Sequence, residues 1–592
     1  MSDYTPPLAD MRFVLENIVD VGGLSELPGF EHAEPDMVLG VLEESGRFFA
    51  QEFAPLNRVG DTQHSRRNDD GSVKTPDGFA RAYQRYVDAG WAGVPFPAEY
   101  GGGGFPWLTA IAMQEMLTAA NMAFSLCPLL TQGAIDMLLH YGSEEQREVY
   151  LPKMVTGEWA GTMNLTEPQA GSDVGALTTR AVPTDDGTWR ITGQKIFITY
   201  GEHDLTDNIV HLVLARVPDA PPGTRGISCF IVPKFLVNED GSLGRRNAVE
   251  CVSLEGKMGI NASPTCVMAY EGAVGYLIGE PNQGMRYMFK MMNNARLSVG
   301  VEGLSLGERA YQQAVAYARE RRQGRAPGAP AGESSPIVDH PDVRRMLLTM
   351  RAHIEALRCL AYLNAECIDL AARHPDEAVR EQRQELADLL TPITKGWGTD
   401  VGVELTSLAL QVHGGMGYIE ETGVAQHYRD IRIAPIYEGT NGIQATDMVG
   451  RKLPMRAGRV IADHLAGIEA TAGELSGAGG DLAAIGKRLA DAHATLKQTT
   501  DWLLADGVAD PANALAGATP YLRMCGIVTG GWLLARSALA AQRALDAGEG
   551  DEDFLQQKLV TARFYAEQIL PQAAGLAPSV TAGPADLAAA RF

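Results

Sequence analysis

Residues 178–201, TTRAVPTDDGTWRITGQKIFITYG, alternate between apolar and polar side chains on either side of Asp186-Gly187. Successive side chains of a strand point to opposite faces, and an Asp-Gly pair suits the positive φ angles of a tight hairpin. The stretch therefore predicts a β-hairpin in which Lys195, Phe197 and Thr199 share one face while Ile196 and Ile198 turn to the core. GISCFIVPKF (226–235) and TCVMAYEGAVGYLIG (265–279) have the same strand-like make-up. Together these runs predict an antiparallel β domain over residues 159–284.

On both sides the period changes. MVLGVLEESGRFFAQEFAPLN (37–57) and FARAYQRYVDAGWAGV (79–94) place apolar residues at helical spacing, broken by PAEYGGGGFPW (97–107). This gives a helical domain over 35–158, preceded by an extension, 1–34. Helical spacing returns over 285–460, interrupted by the Pro/Gly/Ser-rich GRAPGAPAGESSP (324–336), which reads as an exposed loop. In 461–592 Leu482, Ile485, Leu489 and Leu496 fit one helix face, so a further helical domain is expected there. The fold class is α+β with several domains: helix, sheet, helix, and more helix.

Size and charge narrow the function. A chain of 592 residues exceeds the roughly 250–300 residues that one core serves. Its net charge of -23 would repel nucleic-acid phosphates, although a few arginines in one cleft could still hold a small anion. Seven cysteines, widely spaced and without a CxxC pair, read as reduced core thiols. MSDYTPPLADMRFVLENIVD lacks the basic end and apolar stretch of a secretory leader, and no run reaches the roughly 18–20 apolar residues of a membrane span, so a cytoplasmic protein is expected.

Several motif searches fail: there is no GxxxxGK[ST], no GxGxxG after a strand, and no HExxH or Cys/His cluster with metal spacing. Gly303-Leu304-Ser305-Leu306-Gly307 matches GxSxG, but its flanks read as helix, whereas a nucleophile elbow needs a strand before the turn. Five other stretches could carry chemistry, and each also has an ordinary reading. MNLTEPQAGSDVGALTTR (163–180) offers hydroxyls and backbone amides, or a plain turn. GQKIFITYG (193–201) presents an aromatic and a hydroxyl, or a plain strand. KMMNNARLSVGVEG (290–303) and YARERRQGR (317–325) hold Arg296, Arg319, Arg321, Arg322 and Arg325, phosphate binders or a solvated face. The glycines of QVHGGMGY (411–418) allow close backbone approach or end a helix, and His413 reads as packed. IAPIYEGTNGIQ (433–444) sets Glu438 between an apolar run and a turn flexible enough to approach a ligand, or near the start of a helix capped by Thr440.

Their order along the chain settles the matter. LTEPQAGSDV, GQKIFITYG, ARLSVGVEGLSLGERAYQQAVAYARERRQG, QVHGGMGY and IYEGTNGIQ closely resemble the acyl-CoA dehydrogenase family over roughly residues 35–455. The resemblance implies a helical domain, a β-barrel and a four-helix bundle, with FAD held between them and across a subunit interface of a homodimer or tetramer. It implies flavin contacts from Met163, Leu165, Thr166, Gly171 and Ser172, with Ser172 also touching CoA, and Phe197, Ile198 and Thr199 against the isoalloxazine. Arg321, with Gln323 beside it, matches the arginine reaching the FAD pyrophosphate of a neighbouring subunit. Gln411, Gly414 and Gly415 match the partner segment, and Thr440 a further FAD contact. Met292, Asn293, Arg296, Tyr437 and Gly439 fall on the acyl-CoA side, with Glu438 as the base that removes the α-proton. The sequence departs from many relatives at Phe197, commonly tryptophan, at Gln323, commonly less polar, and at Asn293, commonly an acid.

The implied reaction forms a trans double bond between the α and β carbons of an acyl-CoA and passes electrons to electron-transfer flavoprotein. The extra length at both ends resembles the larger subgroup of broad-range fatty acyl-CoA and 3-(methylthio)propanoyl-CoA dehydrogenases. Two alternatives share the fold: an acyl-CoA oxidase delivering electrons to oxygen, and a flavin-carrying nucleic-acid-binding relative, which would want a more basic tail.

Overall fold

The computed structural model describes residues 4–507 and 509–592. They form two compact units, residues 45–105 with 116–295, and residues 4–44 with 106–115 and 296–592.

The first unit is built on a seven-stranded sheet: β1 (Trp159–Asn164), β2 (Arg180–Pro183), β3 (Trp189–Thr199), β4 (Asn208–Ala215), β5 (Ser228–Pro233), β6 (Val249–Leu254) and β7 (Thr265–Leu277). The order is β1-β4-β5-β7-β3-β2, with β6 also paired to β7. An isolated bridge from Arg180 to Arg216 brings β2 back to the end of β4, which curls the sheet towards a barrel. β2 and β3 form the expected hairpin, with Gly187 at φ 81 in its turn. The domain is not wholly antiparallel. β1 runs parallel to β4, a pairing between strands far apart in sequence that no turn signal announces. β4 and β5 are buried along their whole length, as the unbroken apolar run NIVHLVLA requires of a strand covered on both faces.

The second unit is helical. Its elements include α1 (Leu8–Asn17), α2 (Gly284–Glu320, which enters this unit at Arg296), α3 (Pro341–Arg373), α4 (Glu377–His413), α5 (Asn441–Asp447), α6 (Arg459–Ala478), α7 (Gly480–Trp502), α8 (Pro511–Ala547) and α9 (Glu552–Gln568). Side-chain caps start several of them: Asp376 for α4, Asp510 followed by Pro511 for α8, and Asp551 for α9. The tail helices pack on α3 and α4 through glycine. A Cβ on Gly526 of α8 would lie 2.2 Å from the Trp397 ring of α4, so no side chain fits there.

Ion pairs fasten both chain ends to the bundle. Lys558 of α9 pairs with Asp10 of α1 and, at 3.1 Å, with Glu355 of α3. Arg358 of α3 holds Glu115 at 2.7 Å and Glu308 at 2.9 Å, and Tyr362 donates to Glu115 at 2.8 Å.

All seven cysteines are buried and free. The expectation that no segment is apolar enough to cross a membrane needs correction. Met122–Tyr141 and α8 carry windows of mean hydropathy 1.4 and 1.3, but 83% of each window is buried inside the fold, so their apolar surface is used in core packing. Ser305 lies within α2 and donates to the Val301 carbonyl at 2.8 Å, so GxSxG here is helix and not a nucleophile turn.

Candidate functional site

The sequence-derived residues gather in three places. The first is the loop after β1 and the end of β3, in the first unit. Met163 and Thr166 are half-buried, Leu165 is buried, and Gly171 and Ser172 are exposed, with no atom within 4 Å of a Cβ built on Gly171. The Ile196 amide donates to the Thr166 carbonyl at 2.9 Å, tying this loop to β3.

There the predicted alternation fails. Residues 195–198 of β3 oppose only 266–268 of β7 with a shift in register, and Phe197 adopts φ 59. This β-bulge rotates the strand, so Lys195 points inward at 0% exposure while Phe197 stands 58% exposed. The two do not share a face. Ile198 is in the barrel core and Thr199 is half-buried.

The buried Lys195 donates to the Leu165 carbonyl at 2.9 Å and to Glu167 at 2.8 Å. Glu167 also accepts from the amides and hydroxyls of Thr178 and Thr179 at 2.6–3.0 Å. Burial works against both charges, yet Lys195 and these donors hold the Glu167 carboxyl well below its usual range, so the pair is ionised. The sequence reading missed this clamp, although an acid in a turn facing a Thr-Thr pair was its visible signal. Lys195→Met leaves the buried Glu167 carboxylate without its counter-ion, held only by the Thr178 and Thr179 donors, and should destabilise the first unit by about 3 kcal/mol. Hydrogen exchange of residues 165–179 should rise; unchanged exchange would mean that Lys195 does not hold the loop.

The second place lies in the second unit, at the C-terminal ends of α2 and α4. The Tyr317 and His413 rings stack with centroids 4.3 Å apart, and His413 bonds the Ala409 carbonyl at 2.7 Å, so it is packed as expected. Arg321 donates to Gln323 at 3.0 Å, and both are exposed with Arg319, Arg322 and Arg325. Gln411, Gly414 and Gly415 are exposed too. Gly414 closes α4 at φ 60, and a Cβ on either glycine meets nothing within 4 Å. Met416, Tyr418 and Ile419 follow at 49%, 87% and 43% exposure, an apolar group on the surface of the chain.

The third place, also in the second unit, is the turn before α5. Thr440 caps that helix, its hydroxyl accepting from the Ile443 amide at 3.1 Å. Glu438 and Gly439 both take positive φ, 53 and 79. A non-glycine residue held there carries strain, which marks Glu438 out by geometry. Gln444 donates to the carbonyls of Glu438 and Gly439 at 3.3 and 3.2 Å, and a Cβ on Gly439 would lie 2.9 Å from its amide nitrogen and 3.7 Å from Arg296 Nη2. Arg296 is buried and pairs with Asp447 at 3.7 Å. Glu438 keeps some exposed surface, but burial pushes its carboxyl up to about 7 against the opposing pull of Lys395 and Arg296. A carboxylate of that proton affinity can accept a proton from a weak carbon acid near neutral pH. Met292 and Asn293 precede Arg296 by one turn of α2, half-buried and exposed respectively. Glu302, Lys395, Asn441 and Gln444, which surround the turn, were not among the candidates read from sequence.

Family models match nearly the whole chain. Residues 41–158, 162–273 and 282–453 match the acyl-CoA dehydrogenase N-terminal, middle and C-terminal domains, and 462–591 match the acetyl-CoA dehydrogenase C-terminal-like domain. A 3-methylmercaptopropionyl-CoA dehydrogenase of Ruegeria pomeroyi is 50% identical, over 96% of each chain. A broad-specificity linear acyl-CoA dehydrogenase of Mycobacterium tuberculosis, FadE5, is 35% identical, again over 96% of each. Caenorhabditis elegans ACDH-11, solved with C11-CoA, superposes with a TM-score of 0.75 at 20% identity, covering 93% of this chain and 90% of that one.

Proposed function

Since the chain belongs to the acyl-CoA dehydrogenase family and is an FAD enzyme, we propose that it converts an acyl-CoA, foremost 3-(methylthio)propanoyl-CoA, to the trans-2-enoyl-CoA, with Glu438 as the base. The observation that carries this is Glu438 itself, a carboxyl raised to about 7 in a strained turn with Lys395 and Arg296 as its cations. Sulfur in the acyl chain is favoured over a plain aliphatic chain because the 50% relative acts on such a substrate, while FadE5 stands at 35%. Acyl chains of comparable length differ in binding by only about 1 kcal/mol per methylene, so preference shows as a ratio of rates and not as exclusion.

The chemistry needs a base kept from water on the α-proton and a donor on the thioester oxygen. Glu438 supplies the first. Its own backbone N–H is assigned the second, because polarising the carbonyl stabilises the enolate that forms as the proton leaves. Arg296, paired with Asp447, keeps a positive field beside Gly439 and steadies the ionised base. Bound FAD supplies a hydride acceptor at flavin N5 for the β-hydrogen, which no side chain can provide.

The chain's residues fit that cofactor. Phe197 offers an exposed aromatic face, and Thr166 and Thr199 offer hydroxyls. Gly171, Gly414 and Gly415 leave the space that a side chain would fill, and Arg321 brings a guanidinium suited to phosphate. Ser172 is assigned to both flavin and CoA, and Met292, Asn293, Tyr437 and Gly439 to the acyl-CoA. Gln323, Gln411 and Thr440 complete the assigned FAD contacts. The exposed Met416, Tyr418 and Ile419 support burial of this face in a homodimer. Electron-transfer flavoprotein is the proposed acceptor; rapid reoxidation of the reduced enzyme by air would instead indicate an oxidase.

Anaerobic titration of the holoenzyme with a panel of acyl-CoAs, followed by flavin bleaching, tests the substrate. The highest kcat/KM should fall on 3-(methylthio)propanoyl-CoA, and a clear preference for a long straight chain would overturn that choice. The pH dependence has a definite sign. Below about 7 Glu438 holds a proton and cannot take another, so the rate of flavin reduction should rise about tenfold per pH unit and stop rising above about pH 7. A rate that is level from about pH 5 upward would remove Glu438 as a base of that affinity.

A further inference from the structure

A second acid lies behind the base. Glu302 of α2 is at 0% exposure, and Tyr437, the residue immediately before Glu438, places its hydroxyl 2.5 Å from Glu302 Oε2. The other oxygen, Oε1, is buried without a hydrogen-bond partner among the described residues. An ionised carboxylate with one bare buried oxygen is costly, whereas a protonated one needs far less solvation.

The same turn is gripped from its far side by α4. Lys395 donates to Asn441 at 2.9 Å, and Asn441 donates to the Gly396 carbonyl at 3.0 Å and to Asp400 at 2.7 Å. Between these two holds sit the left-handed Glu438 and Gly439. A strained turn persists only where its surroundings fix it, and here they do so at Tyr437 and at Asn441.

We propose that Glu302 is a positioning residue for the dehydrogenation: in its protonated form it anchors Tyr437 and so aims the Glu438 carboxylate, and its ionisation at alkaline pH, which leaves the buried Oε1 charged without a donor, loosens that anchor and slows the reaction. The inference rests on Glu438 being the base. Glu302 faces Tyr437, Lys395 and Glu438; Glu438 faces Lys395 and Arg296; Asp400 faces Lys395, and Asp447 pairs with Arg296. Arg451 also pairs with Asp447, at 2.9 Å, and faces Arg296. Burial pushes Glu302 up to about 8, above the value of about 7 for Glu438, and Lys395 is itself drawn down to about 7 by burial. Burial thus keeps Glu302 protonated at pH values where an ordinary glutamate is ionised. An ionised Glu302 would leave Oε1 charged, buried and without a donor among the described residues.

The test uses the holoenzyme and the variants Glu302→Gln, Glu302→Ala and Glu438→Gln. Infrared difference spectra of substrate-free protein should show, among the protonated-carboxyl C=O components present at pH 7, one that titrates away through about pH 8, is lost in Glu302→Gln and persists in Glu438→Gln. Flavin reduction in the parent enzyme should fall above about pH 8, and Glu302→Gln, which keeps the shape and stays neutral, should lack that fall. Glu302→Ala should reduce flavin about tenfold or more slowly than Glu302→Gln at pH 7, because Tyr437 loses its anchor. A component titrating near pH 8 that survives in Glu302→Gln, or an alkaline fall unchanged in that variant, overturns the inference. If Glu438→Gln is then inactive, the base assignment stands alone; if Glu438→Gln reduces flavin normally, that assignment fails instead.

Discussion

Glu438→Gln should retain FAD and bind acyl-CoA, yet reduce its flavin about a thousandfold more slowly or not at all. The substitution keeps the size of the side chain and the backbone of the turn, which Gln444, Tyr437 and Asn441 hold through groups other than the Glu438 carboxylate. What it removes is the lone pair that takes the α-proton. The residues assigned to the cofactor, from Met163 to Thr199 and from Arg321 to Gly415, are untouched, so the purified protein should stay yellow. Lys395 and Arg296 lose one of the negative charges they face, which should lower their affinity for protons and cost a little stability. Anaerobic mixing with acyl-CoA, read by loss of flavin absorbance, gives the rate; calorimetric binding of the same ligand shows that the site still fills. Bleaching within about tenfold of the parent rate would show that another group removes the proton, since a positioned general base contributes at least about a hundredfold.

The parts of this site that could be read from sequence are those whose physics is local. Asp186-Gly187 announces a hairpin because the turn needs a positive φ that Gly187 supplies. Thr440 announces a helix start because its hydroxyl reaches an amide three residues on. Glu438 stood out through its surroundings in the chain, an apolar run before it and glycines after. What escaped depends on distant partners. Lys195 was placed beside Phe197 because strict alternation requires it, and alternation fails only where Phe197 itself turns left-handed opposite β7. The parallel pairing of β1 with β4 leaves no mark in either strand. Glu302 is 135 residues from Tyr437, and within its helix it is one more polar residue at a position that spacing alone assigns to neither face. The extensions at both ends were visible as extra length, but their attachment was not, because it depends on partners far along the chain: Gly526 against Trp397, and Lys558 near the end with Asp10 near the start and Glu355 between them.

Arg358→Met should be the most damaging change away from the site, lowering the stability of the second unit by about 3–5 kcal/mol. Arg358 is 1% exposed and bonds two buried acids at once, Glu115 through both Nε and Nη2 at 2.9 and 2.7 Å, and Glu308 at 2.9 Å. Methionine fills much of the same volume, so the loss measures charge and not a cavity. Burial already raises the Glu308 carboxyl against the pull of Arg358. Without the guanidinium, Glu308 must bind a proton or remain an unpaired buried charge, and its folded-state proton affinity, already raised by burial, rises further above that of the unfolded chain. The folded state then binds more protons than the unfolded one, so the deficit should grow as pH rises from about 5 to 8 and shrink towards acid. Glu115→Gln added to Arg358→Met removes one of the stranded charges and should recover part of the loss, a coupling that two independent sites would not show. Scanning calorimetry of the three proteins at two pH values measures this. The expected result is a transition that falls most in the single variant at pH 8. Equal losses at both pH values, or strictly additive ones, would mean that Arg358 acts through packing and that the buried charges around it are not mutually dependent.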